Sequence, residues 1–242
     1  MENLLLVEGP ADIHVISRLL EKRDLTKLRD ENDKSARPLK LFLCARPLDI
    51  MHVADKGNVV SNFETTLKFA NQPHYKTVGL VLDFDAPNET QANNRDVAMR
   101  DAILRLQKSG FRWRLPDDFT VLSDTNEGFI AEPANEDTPR IGVWLMPDNH
   151  NRGMLETFLQ RLIPEERSKL LEHARHSTDK AKDEYAAPFK PVHREKAVVH
   201  TFLAWMDEPG YPFGTSFRNG SFDAKSALAN KFVEWMQKLF RD

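Results

Sequence analysis

"VGLVLDFDAPNE", residues 78–89, runs without a polar side chain from Val78 to Leu82 and then meets Asp83 and Asp85, separated only by Phe84. A run that apolar reads as a strand buried on both faces. An aspartate leaving such a strand must be solvated, paired or bound to a cation, because an isolated buried carboxylate costs far more than the surrounding packing returns. Whatever lies at this strand end has to deal with negative charge.

The same pattern recurs on either side. Leu4, Leu5, Leu6 and Val7 form an apolar run that ends on Glu8, and beyond Gly9-Pro10 the residues Ile13, Ile16, Leu19 and Leu20 fall at helical spacing. A charged connection over 24–38 leads to a strand expected at 39–45, and Val59, Val60, Phe63 and Leu67 predict a helix behind it. After the 77–83 strand, Val97, Ala98, Ala102, Ile103 and Leu106 predict a helix that stops at Gly110. Short strands are expected near 120–122 and 128–131. "RIGVWLMPD" (140–148) is another buried strand, ending on Asp148, and Leu155, Phe158, Leu159 and Leu162 mark the next helix, with Glu156 in its first turn. Strand and helix in alternation imply an α/β fold, a mainly parallel sheet flanked by helices.

Residues 165–242 read as a helical extension, broken at "DEPGYPFG" (207–214) and packed on a core of residues 1–164. Its final helix carries Leu228, Phe232, Trp235 and Leu239 on one face and is therefore docked. Trp113, Trp144, Trp205 and Trp235 sit on apolar stripes or strands, where core packing is the expectation rather than base stacking.

Composition narrows the class. A chain of 242 residues, 40% hydrophobic and 29% charged, is ordinary globular material. The single cysteine, Cys44, excludes a disulfide framework and a cysteine-rich zinc site, and fits a reducing cytoplasmic setting. "MENLLLVEG" (1–9) has no basic leader and reads as a first strand, not a signal peptide. Nothing approaches the roughly 20 apolar residues of a membrane span. A net charge of −3 gives no global basic field, so a nucleic-acid partner would need a local patch or a second subunit.

Glu8, Asp83, Asp85 and Asp148 thus terminate strands, with Glu156 just beyond the last. In a parallel sheet such ends share one edge, where α/β proteins bind ligands. Clustered carboxylates repel unless a divalent cation neutralises them, and hard oxygen ligands select Mg²⁺ or Mn²⁺, one ion or two. Taken singly, any of these acids is more often a cap or turn residue. Asp12 is the plainest case, either capping the first helix or adding a ligand. Together they point to a cation site.

"LLLVEGPAD" (4–12) resembles the first motif of Toprim domains, an apolar strand ending in V-E-G with an acid three residues later. "VGLVLDFDAPNE" resembles their h-h-h-D-x-D motif, and the glycine-led "DKGNVV" (55–60) lies between the two, as it does there. The chain is similar to the small nuclease-like Toprim branch, related to overcoming-lysogenization-defect nucleases and to Toprim subunits of anti-phage defence systems. "GVWLMPDNHNRGMLETFL" (142–159) resembles that branch's later segment, in which a glutamate opens a helix after the last core strand. "VHREKAVVHTFLAW" (192–205) matches loosely.

The resemblance implies a Toprim, Rossmann-like fold and a Mg²⁺- or Mn²⁺-dependent nuclease acting on DNA or RNA, transfer RNA included. Glu8 would be a ligand or acid/base, Asp83 and Asp85 would hold the ion, Glu156 would help hold a second, and Lys196 would face phosphate charge. Asp148 has no clear counterpart. The branch also implies a defence effector that is active alone, as a homodimer, or only with an ATPase partner. Net negative charge and the lack of a G-x-x-x-x-G-K-[ST] loop suit a subunit that borrows its ATPase. By spacing, His193, Lys196 and His200 share a helical face opposite Val198, Phe202 and Trp205, either as a cationic wall or as a solvated face.

Other owners of these motifs fit less well. Haloacid-dehalogenase phosphatases place a Thr or Val two residues after the second aspartate, and here Ala86-Pro87 follows. One cysteine cannot build a primase zinc site, and the three tyrosines show no topoisomerase module.

Overall fold

The computed structural model describes residues 3–28, 39–52, 75–84, 104, 107, 111–115 and 127–241. Eight strands, β1 (Asn3–Val7), β2 (Thr26–Leu28), β3 (Leu39–Leu43), β4 (Arg46–His52), β5 (Thr77–Asp83), β6 (Trp113–Arg114), β7 (Phe129–Pro133) and β8 (Arg140–Met146), form one sheet. Their order is β2-β3-β4-β1-β5-β8-β7-β6. The central four, β4-β1-β5-β8, are parallel. β2 and β3 on one flank, and β7 and β6 on the other, run antiparallel to their neighbours. The fold is α/β, a mixed sheet with a parallel centre, flanked by helices α1 (Pro10–Lys22), α2 (Leu155–Arg161), α3 (Ser168–Tyr185), α4 (Arg194–Leu203), α5 (Phe213–Ser216) and α6 (Ala227–Leu239).

The strands read as unbroken apolar runs are the buried central ones. Side chains of β1 alternate between two apolar layers: Leu5 and Val7 join α1, α2, α4 and α6 on one face, while Leu4 and Leu6 join Val78, Leu80, Trp113 and Phe129 on the other. Residues 165–241 supply Leu171, Val198, Phe202, Phe232, Trp235 and Leu239 to the same layer as α1, so the helical extension is part of the central core.

Helix α6 is held at both ends. Ser226 caps it, its side chain accepting the Ala229 N–H at 3.2 Å. At its other end Arg140, which opens β8, donates to the carbonyls of Lys238 and Leu239 at 3.1 and 2.7 Å, placing a cation where the helix dipole favours one. Between these ends α6 lies on β5 and β8 at two glycines. A Cβ on Gly142 would stand 2.5 Å from Leu239, and one on Gly79 would stand 3.1 Å from the same leucine. Trp144 meets Phe232 edge-on at 5.1 Å, and Trp235 donates its indole N–H to the Phe129 carbonyl at 3.2 Å.

Three expectations need correcting. The strand expected over 39–45 stops at Leu43, because Cys44 and Ala45 adopt left-handed backbone, φ 50° and 71°, and turn the chain back as β4. β4 then inserts beside β1. Arg46, Pro47, Asp49 and His52 interrupt its apolar pattern, although Asp49 is itself buried and accepts the Tyr75 hydroxyl at 3.1 Å. β2 forms within what reads as a charged connection. Trp205 is 41% exposed, not core, because α4 ends at Leu203 and leaves the indole stacked on His173.

The helix expected at 59–67, most of the helix at 97–106, the strand at 120–122 and Asp85 lie outside the described residues. Among the described residues no helix is long and apolar enough to cross a membrane.

Candidate functional site

Parallel pairing brings the ends of β1, β5 and β8 to one edge of the sheet. There Glu8 reaches sideways, and its Oε1 accepts the backbone N–H of Asp83 at 2.8 Å. The Asp83 carboxylate in turn accepts the N–H of Leu155, the first residue of α2, at 3.2 Å. Phe84 continues the junction, exchanging backbone hydrogen bonds with Gly153 at 2.8 and 3.2 Å. Only glycine suits that crossing, since a Cβ on Gly153 would lie 2.7 Å from the Thr157 hydroxyl. The consequence is positional: the end of β5 fixes the start of α2 and carries Glu156 to the edge that holds Glu8.

Asp12 enters from α1. Its Oδ2 accepts the Gly9 N–H at 3.0 Å, closing the first turn as a cap. The residue is nonetheless buried, and its pKa is pushed up to about 7, first by that burial and then by the charge of Glu8, with Glu156 adding to the effect. The hydrogen bonds from Gly9 and from its own N–H pull the other way and lose. Three carboxylates on separate elements, β1's end, α1 and α2, therefore share one electrostatic field, in which Glu8 and Glu156 both act to raise the pKa of Asp12.

A cation stands beside this group. Lys196 of α4 places its Nζ 4.0 Å from Oε1 of the buried Glu156, with its own side chain half in solvent. His200, one turn on, packs its ring against Phe213 at 4.8 Å. Its pKa is lowered, first by lost hydration and then by Lys196, while Glu156 opposes the shift. The face that bears Lys196 and His200 therefore looks onto Glu156. His193 lies in the turn before α4 and is exposed.

Asp148 is differently occupied. Its Oδ1 accepts the N–H groups of His150 and Asn151 at 3.1 and 2.7 Å, and its Oδ2 accepts the Asn151 amide at 2.7 Å and the Arg161 guanidinium. Burial works to raise its pKa, but the Asn151 and Arg161 donors outweigh that and hold it below the usual carboxylate range. This carboxylate ties the turn after β8 to the end of α2.

The donor set suits a hard divalent ion in kind, being carboxylate oxygens. Among the described residues, however, no three acidic, histidine or cysteine side chains already close on one point. Gln160, which the sequence reading passed over, is 4% exposed and bridges α2 to α4 and α3. Its one signal was a polar residue inside the stripe of Leu155, Phe158, Leu159 and Leu162, one turn after Glu156.

A family model described as a protein of unknown function (DUF3226) matches residues 2–241. No curated protein matches the sequence. Among solved structures, a hypothetical protein from Pyrococcus horikoshii is 15% identical, with a TM-score of 0.55 over 98% of this chain and 95% of that one, a likeness of fold. The C-terminal region of an OLD protein from Burkholderia pseudomallei aligns over 98% of this chain and 96% of that one, at 12% identity and a TM-score of 0.42.

Proposed function

The chain belongs to the DUF3226 family, and we propose that it is a divalent-cation-dependent phosphodiesterase of the nuclease type, with a Toprim-like site at the C-terminal edge of its parallel strands. The observation that carries this reading is the gathering of acids there: Glu8 accepts the Asp83 N–H, the Asp83 carboxylate accepts the N–H that opens the helix of Glu156, and Asp12 is driven to about 7 by burial and by the neighbouring Glu8 and Glu156. A fold meets the cost of gathering buried carboxylates for a reason, and a cation is the simplest one. The V-E-G and D-x-D motifs supply independent support, since they place Glu8 and Asp83 at the strand ends where the hydrogen bond between them is found.

In this reading Glu8, Asp83 and Asp85 hold the ion, Glu156 helps to hold a second, and Asp12 stands behind them. A bound Mg²⁺ or Mn²⁺ would supply Lewis-acid polarisation of a phosphoryl oxygen and a more acidic water. Lys196 presents its ammonium to the charge that develops on the phosphate. Asp12 caps the first turn of α1 through the Gly9 N–H and so holds the start of that helix against Glu8. Asp148 serves the turn and is left out of the ion-binding set. The substrate class is nucleic acid, and a defence role follows only from the motif resemblance.

The test is direct. The full chain is incubated with Mn²⁺ or Mg²⁺ and with linear DNA, single-stranded DNA and transfer RNA, beside Glu8→Ala, while calorimetry follows Mn²⁺ binding. Metal-dependent cleavage lost in Glu8→Ala supports the reading. Absence of both cleavage and Mn²⁺ binding overturns it. Cleavage that appears only with a copurified ATPase identifies a non-autonomous subunit.

A further inference from the structure

Lys196 is well placed against Glu156, yet nothing in its own side chain keeps it there: the ammonium is half exposed and the ion pair, at 4.0 Å, is loose. A lysine ammonium on a flexible stem loses considerable rotamer entropy when fixed, so such a contact contributes little by itself. Its position must come from the helix that carries it.

The residue beside it shows how. Glu195 accepts the Gln160 side-chain amide at 2.6 Å through Oε2 and the Arg194 guanidinium at 2.6 Å through Oε1. Arg194 is gripped by Asp179 of α3 through two parallel hydrogen bonds of 2.7 Å. The other end of Gln160 is also taken, its Oε1 accepting Nε of Arg175 at 3.2 Å. Gln160 and Glu156 sit one turn apart on the same face of α2, and Glu195 and Lys196 are consecutive on α4. A single buried amide thus links the helix of the acid to the helix of the base, with both of its ends satisfied.

We infer that Gln160 is a positioning residue: through Glu195 it sets the rotation and depth of the first turn of α4, and so holds Lys196 opposite Glu156. Its importance for catalysis rests on the reading given above, but its effect on geometry does not. A helix-to-helix glue of no particular register would be served as well by apolar side chains, which continue the stripe on either side of it. A buried amide between two charged partners, Glu195 and Arg175, instead fixes one arrangement, because any slip leaves a desolvated polar group without a partner.

The experiment reads that geometry without needing turnover. A zero-length carbodiimide cross-link at pH 7 joins lysine and glutamate side chains in contact, and mass spectrometry of the digested full chain quantifies the Glu156 to Lys196 product. The contact of Lys238 with Glu127, at 3.5 Å on a distant part of the molecule, is the internal control. Gln160→Glu sets two carboxylates against each other. We expect the Glu156 to Lys196 product to fall roughly fivefold or more, a change equivalent to about 1 kcal/mol, while the control is unchanged. The exchange Gln160→Glu with Glu195→Gln restores a carboxylate–amide pair of reversed polarity and should return the product to the parental yield.

Should Gln160→Glu alone fail to fold, Glu195→Ala at a partly exposed site gives the same loss. An unchanged yield in the single variants, or no recovery in the exchange, overturns the inference, as does a parent that forms the control product and not this one. Loss and recovery of the cross-link in a protein that neither cuts nor binds Mn²⁺ would sink the nuclease reading and leave the positioning role standing.

Discussion

Glu8 holds the end of β5 through the backbone N–H of Asp83, at 2.8 Å, so the acid that ends the first strand helps to place the acid that ends the fifth. One side chain thus has two duties, a structural one through its oxygen and an electrostatic one through its charge. They can be separated.

Glu8→Gln keeps an acceptor for the Asp83 N–H and removes the charge. Thermal and urea unfolding should find it within about 1 kcal/mol of the parent, whereas Glu8→Ala, which removes the acceptor as well, should be the less stable of the two. Both should lower metal-dependent cleavage by about a hundredfold or more, since both remove the anionic ligand and proton acceptor. A Glu8→Gln variant that cuts as well as the parent would show that the charge at this position is idle.

Asp12 makes the stability of the fold depend on pH in an unusual sense. Its pKa rises on folding from 3.8 to about 7, so between those values the folded state binds more protons than the unfolded one. The stability linked to this group is fully present below about pH 4 and is lost as pH rises through about 7. Asp12→Asn keeps an acceptor for Gly9 and removes the titration. Urea unfolding should show the variant gaining on the parent between pH 5 and pH 8; parallel curves would place Asp12 in a more solvated setting.

Mn²⁺ should act on the same group of acids. Added cation should raise the melting temperature of the parent, more at pH 8 than at pH 5, because the carboxylates bind it only when ionised. Differential scanning calorimetry at the two pH values checks this, and Glu156→Gln should weaken the effect.

Asp148 predicts the opposite pH behaviour. Its lowered pKa contributes stability that is present above 3.8, the ordinary aspartate value, and disappears as pH falls through the depressed folded value. Asp148→Ala frees Arg161 and leaves two N–H groups of the turn without an acceptor, for a loss of about 1–3 kcal/mol at pH 7. The heat of Mn²⁺ binding to the folded variant should remain that of the parent. Loss of binding without loss of stability would make Asp148 a ligand.

Gly142 tests the seat of α6. Gly142→Ala brings a methyl within 2.5 Å of Leu239, which is wholly buried and has little room to yield. Overpacking of this kind costs about 1–3 kcal/mol. Leu239→Ala in the same chain should recover part of that loss in a double-mutant cycle measured by urea unfolding.

The sequence was most legible where burial on both faces writes continuous apolar runs, as in β1, β5 and β8, and where an acid ends such a run. β4 was illegible for a physical reason: Asp49 is accommodated inside the fold by Tyr75, and no local pattern announces a partner that far along the chain. β2 is three residues long and half exposed, too short to show a period. At the site, Glu8, Asp83 and Glu156 could be read because each stands at an abrupt change of polarity. Gln160 could not, since its meaning lies in Glu195 and Arg175, which α3 and α4 bring to it from elsewhere in the sequence. Asp148 looks the same as Asp83 from sequence alone, and only the donors around it separate a cornerstone from a candidate ligand.

The docking of α6 on β5 and β8 also has a bearing on biosynthesis. Phe232, Trp235 and Leu239 close the layer that Leu5 and Val7 open, so the strands that bear the acids cannot be sealed until residue 239 has cleared the ribosome. A message truncated upstream of that helix would release a chain with a greasy, uncovered sheet, marked for chaperones and proteases before it could act on anything. The timetable of translation thereby withholds the covered sheet until this helix has been made.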